Sequence, residues 1–142
     1  MRKWRFGLIV RILLVSGSML AAEATLAQVG IEGQAATHVF PQFVDGAFTE
    51  VGVSYRSALI VSATDFSSPT ACTFRLVGMP ATAMTDARGA IVFHTFFSFT
   101  LPPSGWQVFR TPGVQSLATG SAILDCDRIV AAQLRYTLSV GG

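Results

Sequence analysis

From Val130 to Val140 the chain alternates without a break. Val130, Ala132, Leu134, Tyr136, Leu138 and Val140 fall on one side, and Gln133, Arg135, Thr137 and Ser139 on the other. A period of two sends successive side chains to opposite faces of a strand, and a helix cannot gather an apolar face at that spacing. The same period recurs upstream. Val53–Thr64 collects Val53, Tyr55, Leu59, Val61 and Ala63 on one face, with Ser57 among them, against Ser54, Arg56, Ser62 and Thr64. Thr70–Val77 sets Cys72, Phe74 and Leu76 against Thr73 and Arg75, and Gly120–Cys126 groups Ala122, Leu124 and Cys126. In Ile91–Leu101 the residues Ile91, Phe93, Phe97, Phe99 and Leu101 share a face. The other face carries His94, Ser98 and Thr100, but also Val92 and Phe96.

Turn residues separate these runs. Asp45-Gly46, the loop Asp65–Pro69, Asp86-Ala-Arg-Gly89, Pro102-Pro-Ser-Gly105 and Thr111-Pro-Gly113 each punctuate the pattern, and Asp127-Arg128 divides the last two strands. Thr37–Phe43 is a short extended piece whose Pro41 suits an edge strand, and Trp106–Arg110 is another short strand. About seven strands at this spacing predict an all-β fold, an antiparallel β-sandwich. A small β-barrel is the alternative, because alternation does not reveal whether a sheet closes.

The N-terminus reads differently. Arg2, Lys3 and Arg5 precede an apolar stretch that starts at Phe6, is interrupted by Arg11 and resumes from Ile12 to Ala22. Thr25 and Ala27 then supply small residues three and one positions before a cleavage point after Ala27; cleavage after Ala24, using Ala22, is the alternative. This is the layout of a secretory signal peptide over 1–27. A spanning helix needs roughly 20 apolar residues, and the unbroken run here has 11. No cysteine lies near the cleavage region, which speaks against a lipid-anchored lipoprotein. Residues 28–36 read as a flexible N-terminal arm, and 37–142 as a single domain large enough to bury one core.

Removing 1–27 reverses the charge. The whole chain carries +2, but the remainder has six arginines, seven acids and no lysine, a net charge of −1. Scattered arginines do not make the clustered basic face of a nucleic-acid binder, so that class is set aside. The expected localisation is secreted, periplasmic or extracellular. There Cys72 and Cys126 would form a disulfide. With His38 and His94 the only histidines, two thiols do not make a four-ligand zinc site.

Phe40-Pro-Gln-Phe-Val-Asp-Gly46, Tyr55-Arg-Ser-Ala-Leu-Ile-Val61, Phe99-Thr-Leu-Pro-Pro-Ser-Gly105 and the strand entry at Thr119-Gly120 together carry a likeness. Over about residues 38–140 the chain resembles a domain of secreted bacterial proteins with an F-P-Q-F-x-D-G opening and a P-P-x-G turn. Ser62-Ala63-Thr64 departs from that pattern, where an Asn-containing turn is expected. The resemblance implies an immunoglobulin-like β-sandwich and brings no catalytic residues with it.

The residues that could carry chemistry are few. No G-x-S-x-G elbow occurs after residue 27. His38 and His94 are expected to be structural or surface histidines, since no nucleophile and acid accompany them at a recognisable spacing. Asp125 and Asp127 flank Cys126 and point the same way, which suits a strand-end cap better than a glycosidase pair across a cleft. The acid-dense loop of a strong calcium site is missing. Alternation assigns Tyr55 and Tyr136 to the core. That leaves Phe96, which breaks the polar face of its strand, with His94 and Trp106, as candidate ligand or partner contacts.

The expectation is therefore a secreted or cell-surface, non-catalytic interaction module for adhesion, matrix or envelope assembly. Its partner would be a protein or a polysaccharide at the cell surface. A small carbohydrate-binding domain is the alternative, and a hydrolytic enzyme ranks third. No cofactor, metal, nucleic acid or membrane span after signal removal is expected. Self-association through edge strands is a further expectation, motivated by the strand that runs into Val140-Gly-Gly142.

Overall fold

A computed structural model of the chain describes residues 23–24, 33–86 and 88–140. Nine strands are present among them: β1 (Glu23–Ala24), β2 (Gly33–Phe48), β3 (Val53–Ala63), β4 (Thr70–Val77), β5 (Thr82–Thr85), β6 (Ile91–His94), β7 (Phe96–Leu101), β8 (Trp106–Arg110) and β9 (Ala118–Val140). They form a single sheet in the order β6-β5-β8-β3-β2-β9-β4-β7, with β1 on β9 and a further β3–β9 pairing. Every pairing between the named strands is antiparallel. The expected all-β architecture is the one observed. The sheet curls until its halves face each other across one core, as in a sandwich or half-barrel.

The curl comes from β9. Its first part, up to Cys126, lies between β2 and β4; from Val130 onward it pairs with β3 over eleven positions. Two strands divided at Asp127-Arg128 were expected, but 127–129 stay extended and turn the corner instead. His38 fixes that corner. It is buried, and its Nε2 lies 3.1 Å from the Ala35 carbonyl oxygen and 3.0 Å from that of Val130. Both partners accept, so this ring nitrogen carries the proton. The register of β2 on β9 shifts between Ala35 and Thr37, at this same place.

Strand β2 is longer at both ends than expected. Gly33–Ala36, read as part of a loose arm, is already strand, and Gly33–Ala35 pairs with Val130–Ala132. At the other end Asp45-Gly46 does not turn the chain; the reversal comes at Thr49–Val51, closed by a left-handed Gly52. Asp45 is buried and accepts a hydrogen bond from the Gly113 N–H at 2.9 Å. Gly46 has φ +115°, and a Cβ there would lie 2.7 Å from the Gln115 carbonyl oxygen. The Asp-Gly pair thus docks the 111–117 segment rather than making a hairpin. Pro41 sits where the register slips between Phe40 and Phe43, a bulge that dispenses with its missing N–H.

The remaining differences are local. β5 had no sequence counterpart. Ile91–Leu101 is broken at Thr95: β6 before it pairs with β5, β7 after it pairs with β4, and the Thr95 carbonyl takes the Leu76 N–H in register with β4. The expected turn at Asp86 joins the unexpected β5 to β6, its carboxylate accepting from the Arg88 and Ala90 N–H groups. Of 1–27, only Glu23–Ala24 is described, paired with Ser139 and Leu138. The rest of the expected signal peptide lies outside the described residues, as does 28–32 of the arm. Among the described residues no helix is long and apolar enough to cross a membrane.

The core is aromatic at its centre. Phe74 meets Phe43 and Phe97 at ring separations of 5.9 and 5.4 Å, and Phe109 packs 4.8 Å from Phe97 and 4.7 Å from Phe99. Since β7 lies at one end of the strand order and β8 belongs to the β3 half, these rings lock the halves together. Tyr136 donates its hydroxyl to the Gln42 carbonyl, and burial raises its pKa above 10.0. Among the described residues one buried group is left over: Thr70 is fully buried and its Oγ1 has no partner. Thr70→Val keeps the branched shape and deletes the stranded hydroxyl. Urea unfolding is expected to show a gain of about 1 kcal/mol; a loss would mean the hydroxyl is satisfied in solution.

Candidate interaction surface

The outer face of β7, β4, the first part of β9 and β2 follows from register. Cys72 is directly opposite Cys126 and joined to it, and this pair fixes every row beside it. The expected disulfide is therefore present, between neighbouring strands of one sheet, whereas antibody domains bridge their two sheets. One row outward of it runs Ser98, Thr73, Asp125, Thr37; the next runs Phe96, Arg75, Ile123, Val39. Neighbours in a row are about 4.8 Å apart, and rows on one face about 7 Å.

The two rows differ in character. In the first, Thr73 and Ser98 hydroxyls lie 3.1 Å apart, and the Thr37 hydroxyl donates to Asp125 at 2.9 Å. Arg75 reaches Asp125 at 3.7 Å, an exposed contact of the kind that contributes little to stability. In the second row Phe96 is 60% exposed and Val39 55%, and Val77 is exposed beside them on β4. A shallow depression of about 290 Å³ lies over the disulfide, lined by Ala71, Cys72, Thr73, Ser98, Phe99 and Thr100. The face thus combines an apolar strip, one cation and a row of hydroxyls on a cross-linked sheet.

Such a surface can take a ring or apolar side chain against Phe96 and polar groups along Thr73, Ser98 and Asp125. It offers no obvious nucleophile–base pair. His38 is buried in the corner described above. Asp127 caps β4 by accepting the Ala71 N–H at 3.0 Å, the role expected of a strand-end acid. Among the described residues no three His, Cys, Asp or Glu side chains come close enough to hold a metal ion.

The three expected contact residues do not form one site. Phe96 opens β7 on this face. Trp106 opens β8 at the far end of the β7–β8 connection, on the outer face of the β3 half, opposite Ser62. His94 ends β6, its backbone opposite Thr82; its side chain lies outside the described residues. Sequence reasoning missed Arg75 and Val77 as neighbours of Phe96, and Ile123 and Val39 farther along the same row. Their outward orientation was readable on each strand, but their adjacency needed the strand order.

Comparison with protein-family models, curated proteins and solved structures finds no match to this chain.

Proposed function

We propose that this chain is an exported, non-catalytic interaction module that binds its partner through the outer face around Phe96. The observation that carries the reading is an aromatic side chain left 60% exposed beside Arg75, at the β7 end of a row that continues to Ile123 and Val39, on a sheet braced beneath by a disulfide. Exposing a large ring costs a monomer some solubility and gives nothing back in packing, whereas a partner that covers it gains the burial. Export is supported by the layout of residues 1–27 and by the disulfide, which persists outside the reducing cytosol. A cell-surface protein is the partner class proposed, and the likeness to secreted bacterial domains fits it.

The carbohydrate alternative draws on the hydroxyl-lined depression beside Phe99 and Thr100. Its side-chain hydroxyls at Thr73 and Ser98 already bond each other, which leaves a sugar fewer free partners. Phe96→Ser separates these readings. The variant is expected to keep the melting temperature of the parent and to lose about tenfold or more of its association with the producing cells' envelope or matrix fraction. Retention on polysaccharide, lost in the same variant, would favour the carbohydrate reading. Undiminished association with every fraction would refute the surface altogether.

A further inference from the structure

At the other end of the β3 half, three loops meet: 64–69 after β3, 102–105 before β8, and the 127–129 corner of β9. Their polar groups are used on one another. The Ser104 N–H donates to the Asp65 carbonyl at 3.1 Å, the Ala63 N–H to the Gly105 carbonyl at 2.9 Å, and the Thr64 hydroxyl to the Ile129 carbonyl at 2.6 Å. The Asp65 carboxylate accepts from the Ser67 N–H and hydroxyl, each at 2.7 Å, and from Arg128 Nη1 at 2.6 Å. The hydrogen bonds from Ser67 hold the Asp65 carboxyl below its ordinary pKa of 3.8, with Arg128 adding to the effect.

What these loops show to solvent is apolar. Phe66 is 80% exposed, Trp106 64% and Ile129 53%, and Pro69, Pro102 and Pro103 are exposed around them. Trp106 and Ile129 share an outer face: Trp106 is opposite Ser62, Ser62 is opposite Ala131, and Ile129 is the next residue of β9 on that side. This end is separate from the Phe96 face.

We propose that the loop end formed by Phe66, Trp106 and Ile129 docks on a lipid surface of low net charge. A sugar or a polar peptide needs free donors and acceptors beside the aromatic ring, and the groups named above are already bonded within the loops. The same bonds make the end cheap to dehydrate, because few polar groups lose water without a partner. Charge selects the kind of lipid. Arg128 is paired with Asp65, and Asp127 is held by the Ala71 N–H, so no unpaired cation is offered to an anionic headgroup. An indole beside two apolar side chains at loop tips suits the boundary between headgroups and acyl chains. Three prolines and the inter-loop bonds fix the end before it binds, so little ordering opposes contact.

The test uses the full chain carrying Trp4→Phe, which leaves Trp106 as the only tryptophan. Phosphatidylcholine vesicles are titrated in and the Trp106 emission is followed, with brominated acyl chains as quenchers. The expected result is a blue shift and quenching. Phe66→Ser with Ile129→Ser should weaken this Trp106-reported binding by at least about tenfold, while Phe96→Ser leaves it unchanged. An emission unmoved at saturating lipid would overturn the proposal. So would a shift that survives the double substitution undiminished, since the apolar N-terminal segment would then be carrying the chain to the vesicle.

Discussion

Replacing Cys72 and Cys126 together by alanine is expected to lower the unfolding free energy by about 4 kcal/mol. The two residues are 54 apart in sequence, so the bridge closes a long loop that the unfolded chain would otherwise sample freely. A typical domain is stable by only about 5–15 kcal/mol, so the loss leaves a marginal fold. Alanine is preferred to serine because Cys72 is buried against the core, where a hydroxyl would need a partner. Urea unfolding of the parent and the variant measures the difference. A change below about 1 kcal/mol would mean that cross-strand pairing of β4 with β9 already restricts the unfolded chain.

The second large effect is expected from Phe74→Ala, at about 3–5 kcal/mol. Phe74 is 1% exposed and its ring touches Phe43 on β2 and Phe97 on β7. Phe97 in turn meets Phe109 across the core. Truncation opens a cavity at the centre of that chain of rings, between Phe43 and Phe97. By contrast, Phe96→Ala, one residue before Phe97 but on the outer face, should change stability by no more than about 0.5 kcal/mol. Denaturant midpoints for the two variants check the pair. Equal losses would mean that Phe96 is packed rather than presented.

That contrast between adjacent phenylalanines was legible in the sequence. The period of two placed Phe97, Phe99 and Leu101 inward and Phe96, Ser98 and Thr100 outward, and the fold keeps that division. Alternation works because each strand buries one face only. It fails where a chain must leave the regular ladder. Asp45-Gly46 looked like a turn because the residue types are those of turns, yet here they receive the 111–117 segment. Asp127-Arg128 looked like a break because both are polar, yet at a sheet corner the extended backbone simply bends outward into water. Short β5 was invisible: four residues with two threonines carry too little pattern.

The neighbours of Phe96 were half legible. Once Cys72 and Cys126 are taken as directly opposed strand partners, Thr73 must face Asp125 and Arg75 must face Ile123. A disulfide alone does not require that opposition, because a bridge between two sheets would satisfy it equally. Strand order settles the matter, and order depends on pairings distant in sequence that no local pattern records. The same holds for the loop end, where Phe66 lies in a loop and Trp106 forty residues away, brought together by the contacts of Ala63, Thr64 and Asp65 with Gly105, Ile129, Ser104 and Arg128.

The most direct test of the Phe96 face is photo-crosslinking in the producing cells, with benzoylphenylalanine at position 96 and, as a control, at the exposed Arg88. Benzoylphenylalanine keeps a ring at position 96, so the surface is barely altered. The expected result is a discrete adduct from position 96, with none from position 88. Adducts absent from both positions, or equal at both, would contradict the assignment of this face as the binding surface.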